Sequence, residues 1–248
     1  KNIKKKRDKK HMSTQTITLE QQKREQKCTV LEKNPLVDHW FTILRHEHTP
    51  SHEFREAIHH LAFFLAATTS TTLPSIRKNI KTPVGPYSGT EIEEDKLFIA
   101  PILRAGNSLI EPFQKLFRKA HFGYLGMIRD EETAEARCEY VKIPTLKADT
   151  HVVILEQMLA TGGSIDLAVN VLLKRGIHPK NIHCVALIGA PEGIQYLHEK
   201  YPDMNIILGS LDEKLNSKKY IVPGLGDGGD RAFNSANNPT KGTPLAKF

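Results

Sequence analysis

A chain of 248 residues with 39% hydrophobic and 25% charged positions suits one folded domain with attachments, or two small ones, and can bury a substantial core. Its net charge of +7 is concentrated at one end, where positions 1–10 (KNIKKKRDKK) hold seven Lys or Arg against one Asp. The remainder is close to neutral and lacks the basic body of a nucleic-acid binder. No apolar run approaches the roughly 18–20 residues of a membrane helix; the longest candidate is 61–67.

The N-terminus has no apolar stretch of the kind a secretory leader carries. Residue 1 is not Met, and His11-Met12 reads as a scar before a start Met, so positions 1–12 are left out of the fold reading. Cys28, Cys138 and Cys184 are far apart and form no C-x-x-C pair, which excludes a disulfide framework and a zinc knuckle and fits a reducing, cytoplasmic setting. The twelve histidines include no H-E-x-x-H, and no protein-held metal is expected.

Along the chain, positions 13–33 are polar with few apolar anchors and read as a frayed arm. Phe54, Ile58, Leu61 and Leu65 recur at helical spacing after Thr49-Pro50. The Pro- and Gly-rich segment 82–89 reads as a loop. Five short apolar runs follow: 97–103, 122–128, 152–155, 182–188 and 206–208. Between the third and fourth, Ile165, Ala168, Val169, Leu172 and Leu173 predict a helix that ends in Lys174-Arg175-Gly176. A second helix is expected from Pro191 to about position 200. Buried strands alternating with helices predict an α/β fold with a mainly parallel sheet flanked by helices. Ligands of such sheets bind beyond the carboxyl ends of the strands.

One motif stands where that rule places it. Glu156, Gln157, Met158, Leu159, Ala160, Thr161, Gly162, Gly163 and Ser164 join the third run to the helix. Two glycines let the backbone approach an anion, Thr161 and Ser164 add hydroxyl donors, and the helix adds the positive end of its dipole. Glu156, at the strand end, can accept hydrogen bonds from a sugar diol. A phosphate beside a diol describes a ribose 5-phosphate. No G-x-x-x-x-G-K-[ST] loop occurs. The glycine-rich segment 223–230 cannot be strand or helix interior and exposes backbone donors and acceptors.

The segment 156–164 resembles the phosphoribosyl pyrophosphate (PRPP) motif of the type I phosphoribosyltransferases, and its M-L-A-T-G-G-S spelling resembles the uracil branch. Ile102-Leu103-Arg104-Ala105-Gly106 is similar to that family's pyrophosphate loop. Arg129-Asp130-Glu131-Glu132-Thr133 is similar to the start of its mobile loop, and Ala190-Pro191-Glu192-Gly193 to a helix start. The run from Tyr220 to Arg231 is similar to its uracil-binding segment.

The resemblance spans 34–233, between a basic and polar arm (1–33), in part disordered, and a tail (234–248). It implies the type I phosphoribosyltransferase fold with a base-binding hood. It implies Arg104, Arg129 and Asp227 as catalytic residues, all three also contacting PRPP together with 156–164. Ile221, Gly226, Asp227 and Gly228 would contact uracil. It further implies Mg²⁺ carried mainly by PRPP, a homodimer or homotetramer, and GTP as an effector. No membrane or nucleic-acid partner is expected.

Three departures stand out. Glu156-Gln157 replaces the usual Asp-Pro, Gly228 replaces the usual Ala, and Asn234-Ser235 follows Phe233 where Gly-Thr is usual. Two function classes therefore stay open: an enzyme making UMP from uracil and PRPP, and a catalytically silent sensor of PRPP or nucleotide with the same fold. A transferase acting on another base is disfavoured by 223–231.

Overall fold

The structure, a computed structural model, describes residues 27–129 and 136–235, with the backbone alone at 128–129 and 136–137. The basic stretch at the N-terminus, the acidic positions after Arg129 and the tail from 236 onward lie outside the described residues.

Eight strands among the described residues form the main sheet: β1 (Cys28–Val30), β4 (Leu97–Leu103), β5 (His121–Phe122), β6 (Tyr124–Arg129), β7 (Ala136–Lys142), β8 (His151–Leu159), β9 (Ile182–Gly189) and β10 (Asn205–Leu211). Their order is β1-β10-β9-β8-β4-β6-β7, with β5 alongside β4, and every pairing is parallel except β6 with β7. All five predicted apolar runs are strands of this sheet. They lack polar alternation because both faces are covered. Val153, Leu155, Val185, Leu187 and Ile207 point to one core. Val152, Ile154, Cys184, Ala186 and Ile206 point to the other.

The first core is closed by α1 (Pro35–Arg45), α2 (Ser51–Ser70), α3 (Ile110–Leu116) and α6 (Gly228–Phe233). Helix α2 buries Phe54, Ile58, Leu61 and Leu65, the predicted stripe. The second core is closed by α4 (Gly163–Leu173), which buries Ile165, Ala168, Val169 and Leu172, and by α5 (Pro191–Lys200). Helix α4 ends as expected, with Gly176 in the left-handed region at φ +83°.

The winding reverses between β4 and β8. After β4 the chain builds β6 and β7 on one side; from β8 it builds β9 and β10 on the other. A crevice must open at the carboxyl ends of these two strands, where their connections diverge. The Arg104 loop and the 156–164 loop leave the sheet at those two ends.

Two local expectations need correction. Positions 28–30 are not a frayed arm: they pair in parallel with Ile206, Ile207 and Leu208 of β10. Thr29 and Val30 are exposed, so the strand has no apolar pattern, and Leu31 is the buried anchor that follows it. The loop read at 82–89 is a hairpin, β2 (Ser75–Lys81) with β3 (Pro86–Ile92), whose true turn is 82–85. Its strands are largely solvent-exposed, so burial imposed no pattern on them.

Candidate active site

The 156–164 segment has the build of an anion-binding turn, a phosphate cradle by the role its sequence assigns it. Strand β8 stops at Leu159, three residues turn, and α4 begins at Gly163. Gly162 sits at φ +86°, a conformation that a side chain would strain. The first α4 bond runs from Asp166 N–H to Gly162 C=O at 2.9 Å, and no side chain caps the helix. The amides of the first turn are thus left for an incoming anion. They border a cleft of about 430 Å³.

The pleat of β8 sorts the residues before the turn. Glu156 and Met158 face the cleft, as do positions 159–164, but Gln157 does not line it. Gln157 is fully buried on the opposite side of the strand. The reading of the whole 156–164 run as a PRPP surface therefore does not extend to the Gln157 side chain.

Glu156 is only 9% exposed and its carboxyl is pushed up to about 7 by burial. One hydrogen bond works against that shift: the Gln157 amide donates to Glu156 Oε1 at 2.8 Å. A proline at 157 has no such N–H, so the longer acid and the non-proline residue after it act together.

The same cleft is reached by β12 (Ile221–Val222) and the residue before α6. Ile221 and Asp227 line the same cleft as the phosphate cradle. Asp227 caps α6, its Oδ1 accepting from Asp230 N–H at 2.9 Å. Gly228 and Gly229 form the first turn of α6, where glycine costs less than in a helix interior. Gly224 and Gly226 both have positive φ, +64° and +79°.

Two arginines hold this loop from behind. Arg45 Nη1 donates to Gly224 C=O at 2.7 Å, and Arg231 Nη1 donates to Leu225 C=O at 2.6 Å. The Gly224 N–H donates to Asp212 Oδ2 at 2.8 Å, and Asp212 takes both Arg45 nitrogens, at 2.6 and 2.8 Å. The loop backbone is fixed in direction before any ligand arrives.

Arg104 follows a cis Leu103–Arg104 peptide at the end of β4. Its side chain is 66% exposed, lies 3.9 Å from Asp230 Oδ1, and stands over the Phe233 ring. Arg104, Gly226 and Gly228 do not line the cleft walls, and the Arg129 side chain lies outside the described residues.

A family model described as uracil phosphoribosyltransferase matches residues 30–235. The chain belongs to the uracil phosphoribosyltransferase family. It is 44% identical over 201 residues to a uracil phosphoribosyltransferase of Lactococcus lactis subsp. cremoris (strain MG1363), covering 81% of this chain and 95% of that one. Among solved structures, the AQ2163 protein from Aquifex aeolicus is 35% identical, with a TM-score of 0.73, over 83% of this chain and 97% of that one. An adenine phosphoribosyl transferase from Trypanosoma brucei shares the fold at 14% identity and a TM-score of 0.51, over 75% and 83% of the two chains.

Motif reading missed Lys218 and Lys219, which line the cleft from the β11 (Lys214–Leu215) to β12 turn and add positive charge to it. The signal was available: both precede Tyr220, where the recognised segment starts. It also missed Arg45 and Asp212, which touch no part of the cleft themselves and meet only through the fold, being 167 positions apart.

Proposed function

We propose that this chain joins uracil to the ribose 5-phosphate of PRPP, forming UMP and releasing pyrophosphate, as a salvage step in the cytosol. The observation that carries the reading is one cleft lined both by the glycine turn (161–164) and by Ile221 and Asp227 of the base segment. The enzyme reading is supported over the silent sensor because Glu156, despite its extra methylene, still faces the cleft where a ribose diol would lie.

The reaction breaks the bond between ribose C1 and pyrophosphate through a cationic sugar, so positioning and charge stabilisation carry it. Arg104, with Arg129, holds the departing pyrophosphate; the planar guanidinium suits bidentate contact with phosphate oxygens. Glu156 orients the diol. The main chain of Ile221, Gly226 and Gly228 reads uracil, with Asp227 between base and sugar. Among the described residues no three His, Cys, Asp or Glu side chains come together as a metal cage. Mg²⁺ would be carried by PRPP oxygens and water, with Asp227 on the cleft lining, and would add positive charge against the leaving group. A homodimer or homotetramer and GTP as effector complete the proposal.

The test is UMP and pyrophosphate production from uracil, PRPP and Mg²⁺, with and without GTP and positions 1–12. Product that needs both substrates is the expected result; tight PRPP binding without product would favour the sensor. Cytosine should be used at least 10²-fold less well, because a main-chain N–H facing O4 would meet the NH₂ of cytosine donor to donor. Comparable turnover of cytosine would overturn main-chain reading of O4.

Glu156 adds a pH dependence. A carboxyl near 7 is mostly protonated at pH 6 and mostly ionised at pH 8, and diol hydrogen bonds favour the ionised form. The KM for PRPP, taken relative to the Glu156→Gln variant to cancel the titration of PRPP itself, should fall several-fold from pH 6 to pH 8. A ratio that stays flat would refute the diol role.

A further inference from the structure

The Gln157 side chain has a place of its own in the fold. It is fully buried. Nε2 donates to Ser108 Oγ at 2.8 Å, on the turn that follows Arg104. Ser108 Oγ in turn donates to Ala105 C=O at 2.8 Å. The other end, Oε1, is buried with no hydrogen-bond partner. A Cβ built on residue 228 would stand 2.2 Å from that oxygen. Gln157 thus lies where three segments meet: the pyrophosphate-side turn, the end of β8, and the start of α6.

We infer that Gln157 is a positioning residue for the uracil site, and that position 228 is glycine in order to admit it. The two positions form a matched pair. Backbone conformation does not explain this glycine: Gly228 opens a right-handed helix and its φ is not in the positive range. Space does. The end of a flexible side chain can usually swing away from a new methyl group. Here it is enclosed on all sides and tethered to Ser108, in an interior with few voids.

An alanine at 228 therefore has two routes. It breaks the Gln157–Ser108 bond, leaving more buried polar atoms unpaired, or it pushes the start of α6 outward. The second route moves Asp227, which borders the cleft one residue earlier. Two departures from the family spelling, Gln at 157 and Gly at 228, are on this account a single change seen at two places. The inference rests on reading the cleft as the uracil and PRPP site.

A double-mutant cycle tests it: the parent chain, Gly228→Ala, Gln157→Ala, and the two combined. Melting temperature and the KM values for uracil and PRPP would be measured for each. Gly228→Ala should lower the melting temperature and raise the uracil KM about tenfold or more, with the PRPP KM changed far less. Adding Gln157→Ala should recover most of both losses, because the methyl group then has its space. Recovery of uracil KM is the readout that a merely structural pair would not move.

Losses that simply add in the double variant would overturn the matched pair. Recovery of melting temperature without recovery of uracil KM would overturn the positioning role. If Gly228→Ala does not fold, a folded double variant supports the pair, and a double variant that also fails to fold refutes it. A parent chain that makes no UMP sinks the functional reading and the positioning role with it, while the melting cycle still decides the pair.

Discussion

Asp212→Ala should melt roughly 6–12 °C below the parent chain and lose most of its use of uracil. Asp212 is buried, with its side chain only 3% exposed. It holds three donors at once: both terminal nitrogens of Arg45 and the Gly224 amide. Ser210 Oγ adds a fourth contact at 3.2 Å. Removing it strands the buried Gly224 amide and takes the carboxylate from a half-buried guanidinium that keeps only Gly224 C=O and Ser210 Oγ. Breaking a buried pair from one side costs about 3 kcal/mol or more, far above the value of an exposed ion pair. For a chain of this size each kcal/mol is about 2–4 °C.

The functional loss follows from the same atoms. Gly224 is tied through its N–H to Asp212 and through its C=O to Arg45, so the pair sets the direction of the loop that carries Asp227 to the cleft, the segment proposed to read the base. The uracil KM should rise at least tenfold while the PRPP KM changes less, since the phosphate cradle is on another strand. Asp212→Asn keeps one oxygen for the Gly224 amide and should fall between the two. An Asp212→Ala protein that melts within 2 °C of the parent and keeps its uracil KM would show that the loop is held by other means.

The sequence and the fold differ in what each makes legible, and the reason is range. The 156–164 cradle could be read directly because all its parts lie within nine residues: a strand end, glycines where the chain turns tightly, and a helix start. The buried strands were equally plain, since double-sided burial leaves an unbroken apolar run. What stayed hidden was set by contacts between distant positions. Cys28–Val30 is a strand because β10 offers it an edge, not because its own residues alternate. The direction of the Gln157 side chain depends on the pleat of β8, and its neighbours Ser108 and Gly228 come from two other segments. In the sequence, Glu156-Gln157 is only a departure from the usual Asp-Pro spelling. In the fold, the Gln157 amide returns a hydrogen bond to the longer acid, and its side chain turns inward. Local pattern identifies the chemistry; the supporting shell around it requires the fold.

Gly193→Ala should cut kcat/KM for PRPP about 10²-fold while the protein still folds. In an exposed helix the change would be favourable by up to about 1 kcal/mol, since alanine is the better helix former. Position 193 lies in the first turn of α5, beneath the phosphate cradle. A Cβ there would stand 2.3 Å from the Ala160 carbonyl oxygen and 3.1 Å from its carbon. No side chain can rotate to relieve this, because the obstacle is backbone. The same helix packs Tyr196 under Gly162, and Ala190 N–H is tied to Leu159 C=O at 2.9 Å, so helix and cradle are already in close contact. The added methyl must force them apart by roughly 1 Å, and a misplacement of that size costs about 10²-fold when it reaches groups that hold the reacting substrate. The overpacking itself costs about 1–3 kcal/mol, which lowers the melting temperature without abolishing the fold. Uracil KM should change less than the PRPP kinetics, because Gly224 is anchored to Asp212 and Arg45, although Glu192 beside the substitution accepts from Leu215 N–H of β11 at 2.8 Å. PRPP kinetics within threefold of the parent would mean that the cradle is soft enough to absorb the shift, and that its amides are not placed by α5.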